Sequence, residues 1–107
     1  MKAFFNDDFV VPNPVQATED GAGLERWQGE PLTLGREIDK LASNIAFGRN
    51  AARVHYRSDS ANGLRAGEAV GIGLLCDRSV LYRERFDGFV LKRRDGTRIT
   101  IRNGAVL

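Results

Sequence analysis

The chain has 107 residues, 42% hydrophobic and 28% charged with 12 glycines, which suits one small soluble globular domain and excludes a disordered or low-complexity tail. Sixteen Lys and Arg against 14 Asp and Glu leave a net charge of +2, so no nucleic-acid partner is implied. Cys76 is alone and His55 is the only histidine, which excludes an internal disulfide and a Cys/His metal site.

Cys76 follows Ile72, Gly73, Leu74 and Leu75 and reads as a small buried hydrophobe. The uncharged apolar run from Ala69 to Cys76 is too short to span a bilayer, so no membrane is expected. Asp7 and Asp8 precede any apolar run, which reads as no signal peptide. No compartment follows from these features.

In chain order, Met1 to Phe5 reads as the tail of a helix, stopped by Asn6-Asp7-Asp8. Residues 9 to 33 read as one extended loop: Pro12 and Pro14 forbid a helix, and Asp20-Gly21-Ala22-Gly23 is turn chemistry. Trp27 reads as the anchor of that loop, or else as the lining of a substrate channel. Thr33 is placed to cap a helix from about Leu34 to Asn50, whose apolar stripe is Ile38, Leu41, Ala42 and Ile45. A second helix is predicted from about Ser60 to Arg78. Gly63, Gly67 and Gly71 recur on one of its faces as a smooth groove that another helix could approach.

The end reads as a β-hairpin. A two-residue turn at Asp95-Gly96 would mix charge with core. A three-residue loop, Arg94-Asp95-Gly96, pairs Arg93 with Thr97 and gathers Phe89, Leu91, Ile99 and Ile101 on one face, with Gly96 supplying the positive φ. The basic residues there, Lys92-Arg93-Arg94, Arg98 and Arg102, read as a solvated face. The predicted fold is mainly α: a long N-terminal loop (1–33), a two-helix region (34–79) and a small hairpin region (80–107), together a single partial domain.

The chemistry gathers around His55. Arg49 precedes it by six residues and Asp59 follows it by four. Four residues are one helical turn, so the Asp59 carboxylate could accept from one ring nitrogen and fix the tautomer, leaving the other nitrogen as nucleophile or ligand. Arg49 offers a planar fork that matches a tetrahedral oxyanion. In one straight helix Arg49 and His55 would lie about 120° apart. Sharing one anion therefore requires a chain break between Asn50 and Val54. From spacing alone the His55–Asp59 pair reads either as a satisfied polar contact or as catalytic machinery.

Arg49-x5-His55-x3-Asp59 resembles the last signature motif of the vanadium haloperoxidase and type-two phosphatidic acid phosphatase superfamily. The likeness extends through Lys40 to Arg49, His55 to Asp59, Gly63-Leu64-Arg65-x-Gly67-Glu68, the Asp95-Gly96-Thr97 turn, and Lys2 to Phe5 with Val11-Pro12-Asn13-Pro14. These segments are similar to bacterial haloperoxidase-like members. The resemblance implies the C-terminal part of a helical-bundle domain. It implies that His55 binds vanadate or, in a phosphatase, becomes a phosphohistidine. Arg49 would then neutralise equatorial oxygens and Asp59 orient the imidazole. It further implies peroxide-driven halide oxidation at the vanadate.

Two departures stand out. The family also uses a Lys-x6-Arg-Pro segment and a Pro-Ser-Gly-His segment, and neither occurs here; Met1 is expected to fall just beyond the second. Where the family has glycine before Val-His, this chain has Arg53. The expectations are a vanadate- or phosphate-handling site completed by a second chain or a missing N-terminal part, a truncated remnant that catalyses nothing alone, or a basic binding module using the hairpin.

Overall fold

The computed structural model describes residues 1–107. Two α-helices dominate it, α1 (Leu34–Ala51) and α2 (Arg57–Ser79), packed side by side and joined by a short corner. α2 starts three residues before the expected Ser60 because Tyr56 takes the N-cap position and Asp59 the third position of the helix. No helix is long and apolar enough to cross a membrane.

Before α1 the chain makes one 3₁₀ turn, Lys2–Phe4, and then runs back across the start of α1. The first N–H groups of a helix have no partner within it. Here Leu34 N–H donates to the Phe9 carbonyl at 2.9 Å, and Gly35 N–H to that of Asp7 at 3.1 Å. Thr33 holds the N-cap position, as the sequence suggests, but its side chain makes no capping bond. Gly35 is the one buried residue of α1, and a Cβ there would stand 3.0 Å from Asp7. Asp7 in turn accepts Lys92 N–H at 2.7 Å, so it ties the N-terminal segment to both α1 and the sheet. Asp8 bonds the Lys92 ammonium and lies near Arg98. The Lys92 hydrogen bond, helped by the charges of Lys92 and Arg98, holds the Asp8 carboxyl below its ordinary value. This tie is complete above about pH 4 and is lost only as acid carries Asp8 down through its lowered value.

The expected loop of residues 9–33 contains a small hairpin, β1 (Val15–Ala17) against β2 (Leu24–Arg26), antiparallel with Gln16 opposite Glu25. Its strands are three residues long and almost wholly exposed, so they carry no apolar alternation that a sequence reading could find. The expected turn holds them: Gly21 is at φ +69°, and Asp20 accepts Ala22 N–H at 3.0 Å. Trp27 donates its indole N–H to the Glu30 carbonyl at 2.7 Å with its ring against Gly29, contacts that stay within the loop.

The C-terminal sheet has three strands, β3 (Phe89–Lys92), β4 (Arg98–Arg102) and β5 (Ala105–Val106). β3 and β4 pair in the expected register, Phe89 with Ile101 and Leu91 with Ile99, and Arg93 N–H donates to Thr97 O at 2.8 Å across the three-residue loop. Gly96 sits at φ +88°. β5 was not expected, although Asn103 (φ +50°) and Gly104 (φ +79°) form the Asn-Gly turn that produces it. Ser79 Oγ accepts Gly104 N–H at 2.8 Å, fastening that turn to the end of α2.

Phe89, Leu91, Ile99 and Ile101 make up the buried core, with Ile72, Leu75 and Cys76 of α2 packed on it. Only seven of the 107 residues are buried. A compact chain of this length has a radius of gyration of about 13 Å, whereas this one has 17.2 Å. A compact monomer of this mass exposes about 5,900 Å²; this chain exposes 8303 Å². The excess lies in part along an open groove of about 630 Å³ where Gly63, Gly67 and Gly71 of α2 face Ile38 and Ala42 of α1 and the Lys2–Phe4 turn. Within 4 Å of a Cβ built on any of these glycines there is nothing. The α1 stripe is half served: Leu41 is 49% and Ile45 66% exposed.

Candidate oxyanion site

Arg49, His55 and Asp59 all fall at the corner between the two helices, and all three are exposed. Arg49 stands in the last turn of α1. Beyond Ala51 the chain leaves the helix: Ala52 is the C-cap and Arg53 takes the left-handed conformation at φ +56°. Val54 N–H donates to Arg49 O at 3.4 Å and Arg53 N–H to Asn50 O at 3.0 Å. These two bonds, six-to-one enclosing five-to-two, form a Schellman motif with Arg53 at the residue after the cap. The break therefore falls inside the window that the Arg49–His55 spacing demands. It also fastens the residue before His55 to the backbone of Arg49.

Asp59 sits in the first turn of α2, where a carboxylate offsets the unpaired N–H groups and positive dipole end. Its carboxylate accepts Tyr56 N–H at 3.1 Å, one residue past His55, and the expected hydrogen bond from the His55 ring to Asp59 is not formed. The Tyr56 bond sets the direction in which the chain enters α2. The side chains of Arg49 and His55 form no hydrogen bond or ion pair within the chain, so nothing internal competes with a ligand for them.

The sequence reading missed the residue that locks the corner. Ser60 is buried, its Oγ 2.9 Å from Asn50 Oδ1 and 3.1 Å from the Ala46 carbonyl. It pins the first turn of α2 to the last turns of α1, and so sets His55 relative to Arg49. Its only sequence signal was a serine one place after Asp59, where a hydroxyl could turn either to its own helix or to a neighbour. Ser60→Ala is expected to destabilise the chain by about 1 kcal/mol and to speed amide exchange at residues 57–61 in nuclear magnetic resonance; unchanged exchange there would remove Ser60 from this role.

The corner thus carries a guanidinium and an imidazole around a tight turn, residue types that hydrogen-bond oxyanions. Comparison with known proteins gives it a context. Over 103 residues, 94% of the chain, it is 42% identical to a vanadium-dependent bromoperoxidase of Corallina officinalis. The figures for the Corallina pilulifera protein of the same name are the same. With that of Ascophyllum nodosum it shares 38% over 94 residues.

Over most of its length the chain is similar to vanadium-dependent haloperoxidases.

It spans 17% of the length of each of these relatives. No protein-family model matches the chain, and no solved structure matches it. The relatives' names state a dependence on vanadium. The donors at this corner suit vanadate in kind, since both are cationic or protonatable and free. They are few for so highly charged an anion, because no second histidine exists anywhere in the chain.

Proposed function

We propose that this chain is the C-terminal part of a haloperoxidase-type active site, one partial domain that supplies the corner carrying Arg49, His55 and Asp59 and is inactive by itself. The observation that carries this reading is the Schellman corner, which ties Arg49 O to Val54 N–H and so puts the arginine and the histidine at one turn of the chain. In this reading His55 and Arg49 would hold vanadate, which supplies the activation of peroxide for halide oxidation. Arg49 would spread its charge over the anion's oxygens. Asp59 would orient the site through the Tyr56 N–H that it accepts, holding the backbone beside His55 in place. The remaining donors and the covering of the glycine groove would come from another polypeptide segment, upstream or on a second chain. The surface excess and the 17% span of the relatives support that part of the reading.

A graft tests it. Residues 40–68 replace the matched segment of the Corallina officinalis bromoperoxidase. The grafted protein is expected to oxidise bromide, and His55→Ala within the graft to lower the rate by about 100-fold or more. A folded graft without activity, or one indifferent to His55→Ala, overturns the proposal.

A further inference from the structure

The corner holds more positive charge than its motif requires. From Lys40 to Ser58 the chain has no acidic residue, and its end carries Arg49, Arg53 and Arg57 beside His55, while Lys40, two turns back along α1, is paired with Glu37 at 2.7 Å. Three cations at the corner exceed the net charge of +2 for the whole molecule. The nearest acid along α2 is Asp59, whose carboxylate is engaged by Tyr56 N–H and offsets one of them. Arg53 and Arg57 are exposed, and like Arg49 they make no side-chain hydrogen bond or ion pair.

Arg53 is also in an expensive place. The residue after a Schellman cap is left-handed, a conformation that glycine adopts freely and that costs another residue about 1 kcal/mol. A long charged side chain held at φ +56° gains nothing from packing here, since it is exposed. Strain of this kind persists where a side chain has work to do. The motif's own geometry sets Arg49 one turn before the reversal, Arg53 at its apex, and His55 and Arg57 on the way into α2. The unpaired N–H groups opening that helix of 23 residues add to the same field.

We infer that Arg53, with Arg57, extends the Arg49–His55 site, so that this chain takes up a tetrahedral oxyanion by itself. The inference rests on the proposed reading of Arg49 and His55 and adds two donors to it. The two further guanidinium groups add positive charge around the anion's oxygens. They supply binding only; neither can serve as the acid or base of a reaction.

The test is a titration of the full chain with inorganic phosphate, followed by backbone amide shifts at an ionic strength held constant with chloride. Saturable shifts centred on residues 49–59 are expected. Arg53→Gly is expected to weaken affinity roughly tenfold, the worth of one charge-assisted hydrogen bond. Its melting temperature should stay level or rise, since glycine relieves the strain, so the loss cannot come from unfolding. Arg83→Gln, a charge removed outside the corner, should leave affinity within about twofold. A wild-type titration that never saturates overturns the inference, as does an equal loss in Arg83→Gln. If Arg49→Ala and His55→Ala lose binding while Arg53→Gly does not, the Arg53 inference fails and the family-site reading stands. If Arg53→Gly loses binding while His55→Ala does not, the anion is held away from His55, and both the inference and the reading it rests on fail.

Discussion

Purified chain given orthovanadate, hydrogen peroxide and bromide is expected to leave a halogen-acceptor dye unchanged beyond the level produced by free vanadate. Holding an oxyanion and turning over are different demands. Catalysis depends on donors already placed around the charge that develops, in a site closed to water. The corner is open, with Arg49, His55 and Asp59 all exposed, and His55 is the only histidine, so no second imidazole can move a proton. Removing one preplaced donor typically costs about 100- to 1,000-fold in rate, and groups that act as a unit fail together. Robust halogenation that disappears in His55→Ala would mean that copies of this chain rebuild a complete site between them.

Ile101→Ala should cost about 3 kcal/mol, the largest loss expected of any single truncation. Ile101 is fully buried, 0% exposed, at the centre of a four-residue core. It joins β4 to β3 and to Ile72, Leu75 and Cys76 of α2. A domain of this size has a total stability of order 5–15 kcal/mol, and one with so small a core stands at the low end. The melting temperature should fall by about 15 °C or more, with loss of near-ultraviolet dichroism from the Phe4, Tyr82, Phe86 and Phe89 cluster around the sheet. Val90→Ala, on the outer face of the same strand and 41% exposed, should cost less than about 1 kcal/mol. Equal losses from the two would show that the sheet face is not the centre of the fold.

The parts of this molecule that were readable from sequence are those where local chemistry and burial agree. In the hairpin, Gly96 and the alternation of Phe89, Leu91, Ile99 and Ile101 point to one register, and that register is present. For α1 the apolar stripe and Thr33 locate the helix, but they misstate what holds its start, because backbone carbonyls of Asp7 and Phe9 do the capping. β1 and β2 were hidden because exposed three-residue strands have no apolar period to detect. The break between Arg49 and His55 follows from asking what spacing would let two side chains meet. The means of the break did not: a Schellman motif with arginine at the left-handed position runs against residue preference. Ser60 was invisible for the opposite reason, since a serine hydroxyl gives no sign of whether it will reach across to Asn50 and Ala46.

The open ridge of Gly63, Gly67 and Gly71 makes the stability of this chain a matter of company. A helix laid along it meets no Cβ and touches α1, α2 and the Lys2–Phe4 turn at once, surfaces that are adjacent only when the chain is folded. Whatever seats there recognises the native state alone, and mass action then adds RT ln(1 + [L]/Kd) to the folding free energy, about 2.7 kcal/mol at a hundredfold excess over Kd. The melting point of this chain is thus expected to rise with the concentration and fit of any helix that seats there.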